Sequence, residues 1–192
     1  MEAFRHTMQI HLGAVPSELE WRAGFGTPLR TQLAKFVQGK RRVDLLASTY
    51  RDYNRAHHDR LVRPFPGIRE ALETLHQRDA KLAIVTSKTR SLAMRGLRLC
   101  ALEKYFEVLV AVEDVTEFKP DPAPVLVALK RVGAGPANAL FVGDSPHDVA
   151  AGRAAGVKTA AVRWGPFGQD SFQRHPPHYW VSEPREIPAL VQ

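Results

Sequence analysis

Short apolar runs alternate with segments of helical period through the second half of the chain. Prolines and glycines stand where helices commonly begin and end. This alternation predicts a parallel β-sheet with crossover helices, although each single run is also compatible with a buried helix fragment. The predicted strands are Leu82–Val85, Val108–Val112, Ala139–Val142 and Thr159–Val162, and the predicted helices between them are Ser91–Leu102, Pro122–Val132 and Pro146–Ala155.

The first third of the chain has a different pattern, with helical stretches and no convincing strand. Its predicted helices are Glu2–Leu12, Pro28–Val37 and Arg42–Asp59, interrupted at Gly24–Pro28. We therefore predict two parts, a helical unit over residues 1–62 and an α/β domain over residues 63–192. After a turn rich in proline, the second part should begin with a helix at Ile68–Gln77. It should end with a long loop over residues 165–177, a short strand at Tyr179–Val181 and a helix from Pro184.

Composition narrows the class of protein. The 192 residues are 44% hydrophobic and 24% charged, with a formal charge of +7 and a single cysteine, Cys100. These values are typical of a folded domain in a reducing compartment, and no apolar run approaches the roughly 20 residues that cross a bilayer. We expect a cytoplasmic protein that binds neither membrane nor nucleic acid, since no recognition motif accompanies the basic residues. The sequence does not predict an oligomeric state.

Three segments place polar side chains at the ends of predicted strands, where parallel sheets bind ligands. Thr86 and Ser87 could bind an anion or cap a helix. Lys119, whose backbone is restricted by the following Pro120 and Pro122, could neutralise a phosphate or lie in a solvated loop. Asp144 and Asp148 stand four residues apart at a helix start, where they could hold Mg²⁺ or cap the helix.

Taken together, these segments resemble the second, third and fourth motifs of the haloacid dehalogenase-like hydrolases. The turn at Arg63–Ile68 and the segment Lys119–Pro122 are similar to the phosphoglycolate phosphatase and pyrophosphatase branch. The resemblance implies a Rossmann-like parallel sheet with helices on both faces and an N-terminal α-helical cap. It also implies a Mg²⁺-dependent phosphatase that hydrolyses a small phosphorylated metabolite through an aspartyl-phosphate.

The resemblance also assigns roles to individual residues. Thr86, Lys119 and Asp144 would be catalytic, and Thr86, Ser87 and Lys119 would bind the phosphoryl group. Asp144 and Asp148 would hold Mg²⁺. In the cap, Thr27 and Arg30 are candidate specificity contacts, the alternative being a helix-breaking turn capped by Thr27.

The first motif of that family, Asp-x-Asp-Gly-Thr, does not occur in the sequence, and neither does any Asp-x-Asp triplet. In the family this motif ends the central strand, so its absence should leave a gap and two unpaired strand edges. We expect the sequence to be truncated and inactive as it stands, because Met1 is internal or the chain was cut. The alternative is a non-catalytic phosphate- or protein-binding relative of the same fold.

Overall fold

The first part of the chain is a helical unit with its own apolar core. A computed structural model describes residues 1–191, and residues 2–61 form four helices. Their aromatic and aliphatic side chains converge, with the rings of Phe4 and Trp21 stacked 4.4 Å apart. This packing holds together helices that would be marginal alone, since two of them have only five residues. The helices are α1 (Glu2–Leu12), α2 (Glu18–Arg22), α3 (Leu29–Leu33) and α4 (Lys40–Leu61).

The second part has the predicted alternation of strands and helices. Every strand pair is parallel, which confirms the α/β class. The helices are α5 (Ile68–Gln77), α6 (Arg90–Leu99), α7 (Ala123–Val132) and α8 (Pro146–Ala154). The strands are β1 (Ala83–Val85), β2 (Val108–Val110), β3 (Leu140–Gly143), β4 (Lys158–Val162) and β5 (Tyr179–Val181).

The strands of residues 1–191 form two sheets that do not join. Strand β1 pairs with β2, and β3, β4 and β5 form the second sheet in that order. A cleft of about 1560 Å³ is lined by residues of both β1 and β3. The gap expected between the strands that end near Thr86 and Gly143 is thus present in the structure.

The boundaries differ from the sequence predictions in several places. Helix α3 ends at Leu33 rather than at Val37, and α2 was not predicted. The predicted C-terminal helix is a 3₁₀ helix over Pro184–Leu190, because Pro188 inside it has no amide to donate. Along residues 1–191, no helix is both long and apolar enough to cross a membrane.

Candidate active site

The predicted site residues come together at the carboxyl ends of the strands. Thr86 follows β1, Asp144 follows β3, and Lys119 lies in the loop between β2 and α7. All three line the cleft, as do Ser87 and Asp148. The parallel order of the strands explains this meeting, because parallel strands end at the same edge of a sheet.

Lys119 and Asp148 form a buried ion pair. The Lys119 Nζ lies 2.6 Å from Asp148 Oδ1, and each side chain is 7% exposed. Burial alone would raise the pKa of Asp148, but the Lys119 ammonium and the Ser145 donors outweigh it and hold that pKa below its usual range. Lys119 is therefore not a solvated loop lysine, and its charge is fixed beside the cleft.

Asp148 also caps helix α8. Its Oδ2 accepts hydrogen bonds from the Ser145 hydroxyl at 2.7 Å and the Ser145 amide at 3.1 Å, while its own amide donates to Ser145 Oγ at 3.2 Å. This reciprocal pair is a capping box. The capping role and the place in the candidate site belong to the same carboxylate, since Oδ1 contacts Lys119 and Oδ2 contacts the helix start.

Unlike Asp148, Asp144 forms no salt bridge within residues 1–191. Although its side chain is exposed to the cleft, partial desolvation by the surrounding protein and the nearby charge of Asp148 raise its pKa, with Lys119 and Lys88 opposing the shift. Its backbone amide donates to Asp148 Oδ2 at 3.3 Å, so the backbone places the two carboxylates side by side. A cation between them would relieve the repulsion that raises the pKa.

The chemistry of these donors fits Mg²⁺. Two carboxylates are hard oxygen ligands, and Mg²⁺ in proteins is usually held by one or two carboxylates with water and substrate phosphate. Within residues 1–191 there is no group of three or more histidine, cysteine, aspartate or glutamate side chains placed to hold a metal. Asp144 and Asp148 would therefore hold the ion together with oxygens of water and substrate phosphate.

Thr86 and Ser87 do not cap the following helix. Helix α6 begins at Arg90 with Thr89 as its N-cap residue. The Thr86 hydroxyl accepts the Lys88 amide at 3.2 Å, and the Ser87 hydroxyl donates to the carbonyl of Gly26. Ser87 thus fastens the helical unit to the strand end, while Thr86 stays in the cleft wall.

The two predicted specificity residues line the cleft, but their polar groups are used inside the helical unit. The Thr27 hydroxyl donates to the Gly24 carbonyl at 2.7 Å, as expected for a turn. Arg30 forms a salt bridge with Asp44 of α4. In this loop it is Gly26 that reaches the candidate site, through its contacts with Ser87 and Ser145.

The sequence did not point to two glycines, Gly26 and Gly165, whose missing side chains let loops pack closely against the site. A Cβ on Gly26 would lie 2.7 Å from Ser145 Oγ, and a Cβ on Gly165 would lie 2.9 Å from Asp144 Cβ. Both glycines let loops that are distant in sequence approach the segment from Asp144 to His147 closely, which no local pattern shows. Lys88 was also missed, although its position directly after Thr86-Ser87 was an available signal.

Comparison with known proteins identifies the family. The sequence pattern of the "Haloacid dehalogenase-like hydrolase" family matches residues 1–162. The chain belongs to this family. It shares 38% identity over 191 residues with the pyrophosphatase PpaX of Halalkalibacterium halodurans. The matched region covers 100% of this chain and 86% of the relative.

Solved structures of this family have the same fold. A structure described as a phosphoglycolate phosphatase from Lactobacillus plantarum superposes with a TM-score of 0.83 at 27% identity, covering 98% of this chain and 89% of the other. A haloacid dehalogenase-like hydrolase from Bacteroides fragilis, at 24% identity, gives a TM-score of 0.87 over 97% and 90% of the two chains. The chain therefore has the family's Rossmann-like α/β fold, and its neighbours include phosphatases and pyrophosphatases.

Proposed function

We propose that this haloacid dehalogenase-like hydrolase is the phosphate- and Mg²⁺-binding part of a phosphatase for a small phosphorylated metabolite. The observation that carries the proposal is the buried Lys119–Asp148 pair beside Asp144 at the strand ends. Phosphoryl transfer depends mainly on alignment and charge neutralisation, which this set of residues can supply.

Each residue would have a distinct task in that reaction. The Thr86 hydroxyl would donate to a phosphoryl oxygen, and the Lys119 ammonium would offset its negative charge. Asp144 and Asp148 would hold Mg²⁺, which when bound withdraws charge from phosphoryl oxygens. The Ser145 donors keep the Asp148 carboxylate ionised and oriented.

The substrate class follows from the relatives and from the cleft. Related proteins are named as pyrophosphatase PpaX and phosphoglycolate phosphatase. Two arginines of α4, Arg51 and Arg55, also line the cleft. Cations in this position favour a substrate with a second anionic group, such as pyrophosphate or 2-phosphoglycolate.

Binding by titration calorimetry tests the assignment directly. Mg²⁺ and inorganic phosphate should bind the chain, and Asp144→Asn should weaken Mg²⁺ binding by a factor of about ten or more, equivalent to about 1.4 kcal/mol. Asp170→Asn removes an exposed carboxylate that does not line the cleft, so it should bind like the unchanged protein. Equal Mg²⁺ affinity in both variants would remove the metal assignment.

A second candidate is a non-catalytic phosphate-binding domain of the same fold. It is favoured by the absence of an Asp-x-Asp triplet from the 192 residues, because the aspartyl-phosphate route needs such a nucleophile. Phosphate release from pyrophosphate, 2-phosphoglycolate and p-nitrophenyl phosphate in Mg²⁺, measured with the protein purified from its native cells, separates the two candidates. Release that is lost in Thr86→Val supports the phosphatase, whereas binding without release supports the second candidate.

A further inference from the structure

The helical unit and the α/β domain are joined by one short covalent segment in the described part of the chain. Helix α4 ends at Leu61 and α5 begins at Ile68, so the chain passes from one part to the other over residues 62–67. A short linker of this kind leaves two parts free to move against each other unless their surfaces hold them together. The orientation of α4 at the cleft therefore depends on noncovalent contacts.

Arg95 of α6 makes such a contact with the last turns of α4. Its Nε donates to Asp59 Oδ1 at 2.9 Å, and its Nη1 donates to the carbonyl oxygen of Arg55 at 3.1 Å. The two acceptors lie one helical turn apart, and the planar guanidinium reaches both with N–H groups of fixed geometry. This clamp of Arg95 on Asp59 and Arg55 restricts the rotation of α4 about its own axis as well as its distance from α6.

The Asp59 carboxylate is held from a second direction by His58. The His58 side chain is 6% exposed, and its Nδ1 donates to Asp59 Oδ1 at 2.8 Å. The same ring lies against α6, since a Cβ on Gly96 would be 3.7 Å from its Nε2. Hydrogen bonds from Arg95 and from His58 hold the pKa of Asp59 below its usual range, so the carboxylate is ionised at neutral pH.

The clamp acts on a residue that lines the cleft. Arg55 and Arg51 line the cleft from α4, and Arg95 lines it from α6. The side chains of Asp59 and Arg95 are 53% and 38% exposed, so their ion pair adds little to the free energy of unfolding. Its main consequence is geometric, because it fixes where α4 presents its arginines.

We propose that Arg95 is a positioning residue, which acts through Asp59 and the Arg55 carbonyl to hold Arg51 and Arg55 in place at the cleft. This inference rests on the proposed function, in which these two arginines favour a second anionic group of the substrate. Loss of the clamp should therefore weaken the binding of pyrophosphate. It should leave the binding of inorganic phosphate unchanged, because that ion has no second group for α4 to contact.

Two variants break the clamp without removing a positive charge. Arg95→Lys keeps the charge but cannot reach both acceptors, and Asp59→Ala removes a negative charge from α4. If charge alone mattered, the first variant would bind pyrophosphate like the unchanged protein and the second would bind it more tightly. We expect instead that each weakens pyrophosphate binding by about threefold to tenfold in titration calorimetry. Inorganic phosphate should bind both variants like the unchanged protein.

Arg98→Lys and Asp52→Ala are the matched controls. Arg98 lies on α6 outside the cleft and pairs with Glu103, and Asp52 makes its polar contacts with residues of α4 itself. Neither control should weaken pyrophosphate binding. Equal effects of Asp59→Ala and Asp52→Ala, or unchanged pyrophosphate binding in Arg95→Lys, would overturn the proposal.

A distance measurement without any ligand separates the clamp from the proposed function. Spin labels are attached to Leu45→Cys of α4 and Leu126→Cys of α7, two exposed positions, in the whole chain with Cys100→Ser. Asp59→Ala and Arg95→Lys should each broaden the distribution of distances between the labels, and the two controls should not. An unchanged distribution would overturn the clamp. Failure of the unchanged protein to bind pyrophosphate would instead overturn the proposed function, and the role of Arg95 with it.

Discussion

At the scale of single residues, the Lys119–Asp148 pair is the most consequential interaction of the site. Both side chains are almost fully buried. Removing either one would leave the other charge buried without a partner, which is strongly destabilising. The pair also joins the loop before α7 to the start of α8. The same ion pair therefore both stabilises the fold and holds Lys119 and Asp148 beside Asp144.

We predict that Lys119→Met destabilises the protein by about 3–5 kcal/mol at neutral pH, because Asp148 is left buried without its cation. In the unchanged protein the pKa of Asp148 is lowered, so its ionised form stabilises the fold until pH falls below the ordinary value of 3.8. Without Lys119, burial should raise that pKa above the unfolded value. The deficit should then shrink as pH falls from about 7 to about 4.

Urea unfolding of both proteins across this pH range measures the deficit. Lys130→Met provides the control, since Lys130 is an exposed lysine of α7 outside the cleft. It should change the free energy of unfolding by less than about 0.5 kcal/mol at every pH. A Lys119→Met deficit that stays constant with pH would show that the buried Asp148 charge is not its cause.

At the scale of elements, the junction between β3 and α8 depends on a residue without a side chain. A Cβ on Gly143 would lie 2.3 Å from Asp148 Cβ and 2.8 Å from its Cγ. The Asp148 Cβ is fixed to the backbone of the first turn of α8, so it cannot move aside as the end of a long side chain could. The strand and the helix approach this closely because Gly143 is glycine.

We predict that Gly143→Ala separates β3 from α8, costs about 2 kcal/mol or more of stability and weakens Mg²⁺ binding, because the Asp148 carboxylate is displaced. Gly168→Ala is the matched control, since no atom lies within 4 Å of its added Cβ. Thermal unfolding and Mg²⁺ titration of the two variants check this. If Gly143→Ala matched its control in both measurements, the close approach of Gly143 to Asp148 would be required neither for stability nor for Mg²⁺ binding.

The elements themselves were largely predictable because their signals are local. The apolar runs of β1 to β4, and proline and glycine at the ends of α7, fix strands and a helix without any tertiary information. Helix α2 was missed because five residues carry too little periodicity, and the capping box at Ser17 was its one available signal.

At the scale of the whole molecule, the sequence predicts which residues form the candidate site but not which loops contact them. The parallel direction of the strands brings Thr86, Lys119 and Asp144 to one edge, and the sequence predicts both this direction and the place of each residue after a strand. The contacts of Gly26 and Gly165 with the carboxylate loop join segments more than a hundred and about twenty residues apart. Such contacts depend on how the loops pack, which local patterns do not encode.

The overall charge of the molecule makes a prediction at the same scale. The chain has a formal charge of +7, and Arg51 and Arg55 line the cleft. Their field should attract a multiply charged anion, and salt should screen that attraction over a Debye length of about 10 Å at 0.1 M. We therefore expect pyrophosphate binding to weaken as salt rises, more steeply than binding of inorganic phosphate.

Two matched double variants separate a local field from the effect of net charge. Arg51→Gln with Arg55→Gln, and Lys130→Gln with Arg174→Gln, each remove two positive charges, but only the first pair lines the cleft. Titrations of pyrophosphate between about 0.05 and 0.5 M salt should show a reduced salt dependence for the first pair and an unchanged one for the second. Equal reductions in both pairs would mean that net charge, rather than the arginines of α4, attracts the anion. In that case the helical unit would have no part in selecting a substrate with a second anionic group.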